Sequence, residues 1–226
     1  MIISRRGRYR LFILCSLVLG LSAFGPECQA TPYDNAVRNS PVFEAGHIEQ
    51  LVTIPANEAN VTVVTWATRA TADAYYPLGQ AQVGVDVWVT KSPQLQQMCE
   101  HYSHSADNLR LRLQQVLGLP PQVEDRVFVV MQVARGDLFR PCPDPDPAQP
   151  TCGSDFPGNV STEHKAWMGN QFLQRYRLPG GYPWTHLGYT YDWGGATTVG
   201  ASEFVVRRGA TVTVTAKSET AAYCHP

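Results

Sequence analysis

The chain has 226 residues, of which 44% are hydrophobic, and it carries 18 basic and 19 acidic side chains. This length allows one large domain or two small ones with a buried core. Without the four arginines and one glutamate of residues 1–30, the chain holds 14 basic and 18 acidic side chains and no lysine or arginine cluster. This balance argues against nucleic acid as a partner, because that binding relies on many cations that neutralise phosphates.

Residues 1–30 have the pattern of an export signal. Four arginines precede an almost wholly apolar run at positions 11–25, and Cys28-Gln29-Ala30 places small residues where a signal peptidase cleaves. The apolar run is shorter than the roughly 20 residues of a membrane-spanning helix, and no comparable run follows. We therefore expect an exported protein, periplasmic or secreted, without a transmembrane segment in its mature chain.

Removal of that signal leaves four cysteines: Cys99, Cys142, Cys152 and Cys224. In an oxidising compartment they are expected to form two disulfides, for which three pairings are possible. We predict Cys142 with Cys152, which closes a short proline-rich loop, and Cys99 with Cys224, which ties the end of the chain to a helix. A zinc site is the alternative, but the spacing lacks the paired Cys-x-x-Cys of such sites.

The N-terminal part of the mature chain predicts an arm followed by strands. Residues 31–46 have no clean period and are broken by prolines and asparagines, which predicts a flexible arm before a single domain at 47–226. Segments 47–54 and 61–68 are rich in β-branched residues and predict an antiparallel pair. Valines at every second position over 83–89 predict a third strand with one apolar face.

The strongest helix signal follows, with Ser92 as N-cap and Pro93 at the first helical position. Apolar residues then recur at steps of three and four as far as Gly118, so one stripe of this long helix is expected to pack on the core. Residues 126–134 are apolar on both faces, which predicts a strand in the middle of a sheet.

The C-terminal half predicts a loop, a helix and more strands. Residues 138–160 are rich in proline, aspartate and glycine and predict an extended surface loop. A shorter helix is expected from Ser161 or Thr162 to Arg177. Three further strands are predicted at 184–193, 202–208 and 211–216. The total is about seven strands with one long and one shorter helix, which predicts an α+β fold with a mainly antiparallel sheet.

The densest chemical neighbourhood is the aromatic-rich segment 182–193. Exposed aromatic rings beside polar groups suit a sugar ring, an aromatic ligand or a protein partner. The alternative is that these rings fill the core of a sheet. The predicted ligand-binding residues are Trp184, His186, Tyr189, Tyr191, Asp192 and Trp193.

Catalysis is a second hypothesis. His186 is a candidate base, but a straight strand would hold Asp192 roughly 20 Å away from it, at about 3.3 Å per residue. Glu203 is a candidate carboxylate whose partner acid the sequence does not identify. His101 and His104 lie three residues apart on the predicted helix, which gives only a weak metal-site pattern. We expect no cofactor and no metal.

These patterns predict an exported, disulfide-bonded protein that binds a small molecule, glycan or protein through segment 182–193. The alternative is an extracytoplasmic hydrolase that uses His186 or Glu203 with an unidentified carboxylate. The sequence does not distinguish a binding protein from an enzyme, and it does not give the oligomeric state.

Overall fold

The computed structural model of this chain describes residues 30–226, so the predicted export signal lies, except for Ala30, outside the described residues. The architecture is α+β, as predicted. The strands are β1 Asn60–Thr68, β2 Gly79–Gln82, β3 Val87–Lys91, β4 Arg126–Ala134, β5 Leu138–Phe139, β6 Tyr189–Tyr191, β7 Val199–Ser202, β8 Phe204–Val206 and β9 Thr211–Glu219. The helices are α1 Pro32–Asn39, α2 Arg69–Tyr75, α3 Gln94–Cys99, α4 Ala106–Val116, α5 Thr162–Arg175 and α6 Thr220–Cys224.

Seven strands form one antiparallel sheet in the order β2-β9-β4-β1-β3-β8-β5, which confirms the predicted sheet. Strands β6 and β7 form a separate antiparallel pair. The doubly apolar strand β4 lies between β9 and β1 near the centre, as its sequence predicted. Successive side chains of a strand point to opposite faces, so a central strand needs apolar residues at both sets of positions.

Each face of the main sheet buries its own hydrophobic cluster. Val63 of β1 and Met131 of β4 belong to one cluster, which Ala72 of α2 also joins. Trp66 and Phe128, which are direct partners across β1 and β4, belong to the other. The second cluster is covered by α3, α4 and α6, so these three helices lie on this face of the sheet, opposite to α2.

The N-terminal arm predicted as flexible contains helix α1. Thr31 caps it by accepting a hydrogen bond from the Asp34 N–H, while the Asp34 carboxylate accepts one from the Thr31 N–H, a reciprocal capping box. Tyr33 and Val37 are buried. The prediction of a flexible arm is wrong at this helix, because proline at the first helical position fits a helix and does not break it.

The strand predicted at 47–54 is wrong. The chain here is irregular, and its backbone pairs with the proline-rich loop: the Leu51 N–H donates to the Pro150 carbonyl, and the Ile54 N–H donates to the Pro147 carbonyl. Proline has no N–H to return, so a regular ladder cannot form between the two segments.

The long helix predicted from Ser92 to Gly118 is also wrong, because it is interrupted between α3 and α4. Pro93 occupies the N-cap position of α3 in place of Ser92. In the interruption, Ser103 Oγ accepts a hydrogen bond from the Ser105 N–H at 3.2 Å. Such local side-chain bonds compete with the helical backbone ladder. Ser105 then becomes the N-cap of α4.

Two predicted strands near the C-terminus are shorter or divided. Segment 184–193 is a strand only at β6, because the chain turns where His186 and Gly188 adopt positive φ values of 50° and 84°. Segment 202–208 is divided into β7 and β8, with Glu203 between them. Glu203 is therefore the residue at which the chain passes from the small sheet to the main sheet. Helix α5 agrees with its prediction and is capped by Ser161.

Both predicted disulfides are confirmed. Cys99–Cys224 joins the ends of α3 and α6, and Cys142–Cys152 closes the proline-rich loop. All four cysteines of residues 30–226 are thereby used, which excludes a zinc site built from them. Each helix within residues 30–226 is too short or too polar to cross a bilayer.

Candidate functional site

A cavity of about 320 Å³ lies against the helix-covered side of the sheet, and we call it the tryptophan cavity. Strands β1 and β3 contribute Trp66, Trp88 and Thr90, and the end of α5 contributes Arg175. The turn after α5 contributes Tyr182 and Trp184, and the crossover between β7 and β8 contributes Glu203. Residues far apart in the sequence converge here because β1, β3 and β8 are consecutive in the sheet and α5 packs on β3 through the stacking of Trp167 on Trp88.

The N-terminal helix fixes one wall of the tryptophan cavity. Ser40, the C-cap of α1, accepts a hydrogen bond from the Trp184 N–H at 3.1 Å through its hydroxyl. The Tyr33 hydroxyl donates to the Gly181 carbonyl at 3.0 Å. Both ends of the turn 181–184 are thereby held against α1, which gives the arm a role in placing Trp184.

Glu203 is the only aspartate or glutamate among the described residues that line this cavity. The side chain is buried, and burial raises the pKa of its carboxyl to about 8. The neighbouring Trp88 indole and the Arg175 and Arg140 guanidiniums favour the ionised form and partly offset that shift. The carboxyl is therefore mostly protonated at pH 7.

Three buried polar atoms that have no hydrogen-bond partner within the described chain belong to residues that line this cavity. They are Thr90 Oγ1, Trp184 Nε1 and Glu203 Oε1. Six such side-chain atoms occur among residues 30–226, so half of them are concentrated here. An unpaired buried polar group costs about 1 to 3 kcal/mol, which makes such a concentration unusual for a core that serves stability alone.

The indole faces of Trp66 and Trp88 already make cation–π contacts with arginine side chains. Arg126 Cζ lies 5.3 Å from the Trp66 ring centroid, and Arg175 Cζ lies 4.4 Å from that of Trp88. Each indole also stacks on another ring, Trp66 on Phe128 and Trp88 on Trp167. A positively charged ligand would compete with these guanidiniums for the same electron-rich faces.

Arg126 and Arg175 differ in how their charge is balanced. Arg126 forms an ion pair with Glu124 and donates to the Trp66 carbonyl. Arg175 donates from Nε to Gln171 Oε1 at 3.1 Å, but no carboxylate oxygen of residues 30–226 lies within 4.0 Å of its nitrogens. Burial lowers the pKa of the Arg175 guanidinium, yet arginine stays charged at neutral pH.

His186, the candidate base, lies outside the lining of the tryptophan cavity. Its Nδ1 is 3.1 Å from the Tyr176 hydroxyl, which donates a hydrogen bond to the Trp184 carbonyl at 2.7 Å. Burial lowers the pKa of the imidazole to about 4, so the ring is neutral at pH 7. In this position His186 supports the turn that carries Trp184.

The other residues predicted to bind ligand are separated from Trp184. Asp192 accepts two hydrogen bonds from the Arg112 guanidinium, at 2.8 and 2.6 Å. Trp193 donates from Nε1 to the Leu119 carbonyl and packs edge-on against Tyr33. These contacts engage both side chains in holding the fold together.

Tyr189 and Tyr191 line a second cavity of about 290 Å³ next to the N-terminal arm. The Tyr189 hydroxyl donates to the His47 carbonyl at 2.9 Å. The segment 182–193 therefore does not present one continuous aromatic surface, because the turn at 186–188 directs its rings into different places.

His101 and His104, the two residues of the weak metal-site pattern, lie in the interruption between α3 and α4 and not on one helical face. The His104 ring stacks on His225 with centroids 3.9 Å apart, and His101 lies beside Glu100. Within residues 30–226, no group of three or more metal-ligating side chains is brought together.

Sequence reasoning missed Trp66, Trp88, Thr90 and Arg175 as members of the site. A signal for the strand residues was present, since Trp88 and Thr90 alternate with Val87 and Val89 and so occupy the opposite face of β3. What the sequence did not show was that β1 and β3 are neighbours.

No protein-family description, no curated protein and no solved structure matches this chain.

Proposed function

We propose that this protein binds a small molecule in the tryptophan cavity, with Trp184, Thr90 and Glu203 as its polar contacts. The observation that carries the proposal is the group of three buried polar atoms without partners that belong to residues lining this one cavity. A few polar groups that converge in a largely apolar pocket are typical of small-molecule sites. A ligand would supply the missing hydrogen bonds once the side chains that shield these buried atoms from the cavity move aside.

The volume and the lining also fit a small ligand. About 320 Å³ is at the lower end of the roughly 300 to 1,000 Å³ typical of ligand pockets. The aromatic rings provide apolar contact area, while Tyr182 is 37% exposed and the most accessible ring of the site. Of the six residues predicted from the sequence to bind ligand, Trp184 is the one that lines this cavity among the described residues.

Export of the protein is part of the same proposal. The arginine-rich start and apolar run of residues 1–30 support it, and two disulfides fit an oxidising compartment. N-terminal sequencing of the protein recovered from outside the cytoplasm tests it. We expect the first residue to be Thr31, and recovery of chains that begin at Met1 inside the cell would contradict export.

Hydrolysis is a second candidate, favoured by one observation. A carboxyl that is protonated at pH 7 is the form that a general acid requires, and Glu203 meets this condition. Glycosidases usually pair such an acid with a second carboxylate, and the described lining holds none. Binding therefore has the stronger support.

A fragment screen by calorimetry and protein NMR tests the binding proposal. We expect hits whose affinity falls at least tenfold in Thr90→Val and Trp184→Phe, since each change removes one polar contact. Thr213→Val is the matched control, because Thr213 is an exposed strand residue outside the cavity. Hits that bind these three variants and the native protein equally would contradict the proposal.

The same variants separate binding from hydrolysis. If the protein is a hydrolase, a panel of ester and glycoside substrates should show turnover that Glu203→Gln abolishes and that Glu163→Gln leaves unchanged. Glu163 is exposed on α5 and serves as the control. Ligand binding without turnover on the panel would favour the binding protein.

A further inference from the structure

The unpartnered polar groups of the residues that line the tryptophan cavity offer more hydrogen-bond donors than acceptors, since the Glu203 carboxyl is mostly protonated. The Trp184 indole N–H is a donor only, and the Arg175 guanidinium offers donors with no acceptor capacity. The Thr90 hydroxyl can donate as well. A ligand that satisfies this set must therefore be rich in acceptors.

The charges at the cavity also favour an acceptor-rich ligand, and in particular an anionic one. Arg175 lies at the cavity with no carboxylate partner among the described residues, while its guanidinium is held in place over Trp88 and Tyr182, with Cζ 4.4 and 5.3 Å from the two ring centroids. A planar guanidinium that is fixed by stacking is well suited to bind a carboxylate through two parallel hydrogen bonds.

A cationic ligand is disfavoured by the same contacts. Arg175 and Arg126 already occupy the electron-rich faces of Trp88 and Trp66, and like charges brought together in a buried site repel. Among the described residues, Glu203 is the one lining group that could attract a cation, and its ionisation is opposed by its burial.

On these grounds we propose that the ligand is a small organic acid whose carboxylate pairs with Arg175 and accepts a hydrogen bond from Trp184, while its apolar part lies among the aromatic rings. This inference rests on the proposed function, because it names the chemical class that the tryptophan cavity binds.

Glu203 makes the binding of such an acid dependent on pH. The groups that influence its carboxyl are Trp88 on β3, Arg175 and Tyr176 on and after α5, and Arg140 after β5. Below pH 8 the neutral carboxyl tolerates a neighbouring anion and can donate to it. Above pH 8 the carboxylate forms, competes for Arg175 and repels the ligand.

Matched pairs of probes that differ only in charge test the class: benzoate against benzamide, phenylacetate against phenylacetamide, and hexanoate against hexanamide. Calorimetry at pH 6.5 should show the acids binding at least tenfold more tightly than their amides. Arg175→Met should abolish this preference, Arg175→Lys should reduce it, and Arg177→Met, an exposed neighbour, should preserve it.

A second measurement remains informative if Arg175→Met does not fold. Acid affinity of the native protein should fall about tenfold between pH 6.5 and pH 9.5, and Glu203→Gln should remove this dependence. Equal binding of acids and amides, or an acid preference that survives Arg175→Met, would overturn the organic-acid class while leaving the ligand site intact. If neither these probes nor a neutral fragment library bound in the cavity, the proposed function itself would fail.

Discussion

The guanidinium of Arg175 lies over the indole of Trp88, with Cζ 4.4 Å from the ring centroid. This contact joins the last residue of α5 to β3 and sets a positive charge at the edge of the tryptophan cavity. Trp167, two turns earlier on α5, stacks on the same indole and donates from Nε1 to the Asp86 carboxylate at 2.7 Å. Helix α5 is thus attached to the sheet mainly through aromatic and charged side chains.

Thr90→Val should stabilise the protein without ligand and weaken ligand binding. The Thr90 hydroxyl is buried with no partner in the described chain, and replacing it with a methyl group removes an unsatisfied polar atom. We expect the free energy of unfolding in urea to rise by about 1 kcal/mol. The exposed control Thr213→Val should change it little. A loss of stability in Thr90→Val would show that the hydroxyl is satisfied within the fold.

Glu203 should make the protein less stable as pH rises. Its folded pKa of about 8 is above the ordinary value of 4.5, so between these values the folded state binds more protons than the unfolded state. The stabilising effect of protonation is complete below pH 4.5 and is lost as pH rises through 8. We expect the free energy of unfolding to decrease by roughly 1 kcal/mol per pH unit within this window.

Urea denaturation at pH 5, 6, 7 and 8 measures the slope of the free energy of unfolding against pH. Glu203→Gln should flatten it, because the amide does not titrate, and Glu163→Gln should leave it unchanged. An identical slope in the native protein and Glu203→Gln would mean that the carboxyl titrates alike in the folded and unfolded states.

Asp192→Asn should destabilise the fold, because the Asp192 carboxylate neutralises the guanidinium of Arg112. The Asp192 side chain is 4% exposed and receives two hydrogen bonds from Arg112, which is 28% exposed. Loss of the carboxylate charge leaves a partly buried guanidinium without compensation, at a cost of about 2 kcal/mol. Asp125→Asn is the matched control, because Asp125 pairs with Arg69 at an exposed position, where ion pairs contribute little. Equal effects of the two substitutions would contradict this account of Asp192.

The two disulfides should differ in their contribution to stability. Cys99 and Cys224 are separated by 125 residues, whereas Cys142 and Cys152 are separated by 10. A longer closed loop restricts the unfolded chain more, so we expect losses of about 5 kcal/mol for Cys99→Ala with Cys224→Ala and about 3 kcal/mol for the other pair. Chemical denaturation of the two double variants measures this, and the reverse order would contradict the loop-entropy explanation.

The sequence was a good guide where local pattern decides structure. Apolar residues on both faces of β4 predicted a central strand, and the serine cap of α5 predicted its start, because both depend on residues close together in the chain. The pairing of Cys99 with Cys224 was also predicted, although the helix expected to carry Cys99 is shorter than the pattern indicated.

The site depends on relationships that no local pattern contains. The segment 182–193 alternates like a strand, but positive φ values at His186 and Gly188 turn it. A Cβ at position 188 would lie 2.7 Å from Arg140 Cδ, so close packing with a residue 48 positions away requires glycine there. Trp184, Glu203 and Thr90 line one cavity because the tertiary fold brings the turn after α5, the β7–β8 crossover and β3 together.

The most direct test of the tryptophan cavity is the ¹⁵N–¹H NMR signal of the Trp184 indole during titration with the acid probes and the fragment library. We predict that bound ligands shift this signal, because Trp184 Nε1 is a buried donor without a partner in the described chain, and that they leave the Trp193 indole, bonded to the Leu119 carbonyl, unchanged. Ligands that bind the protein while the Trp184 signal stays fixed would contradict the central claim.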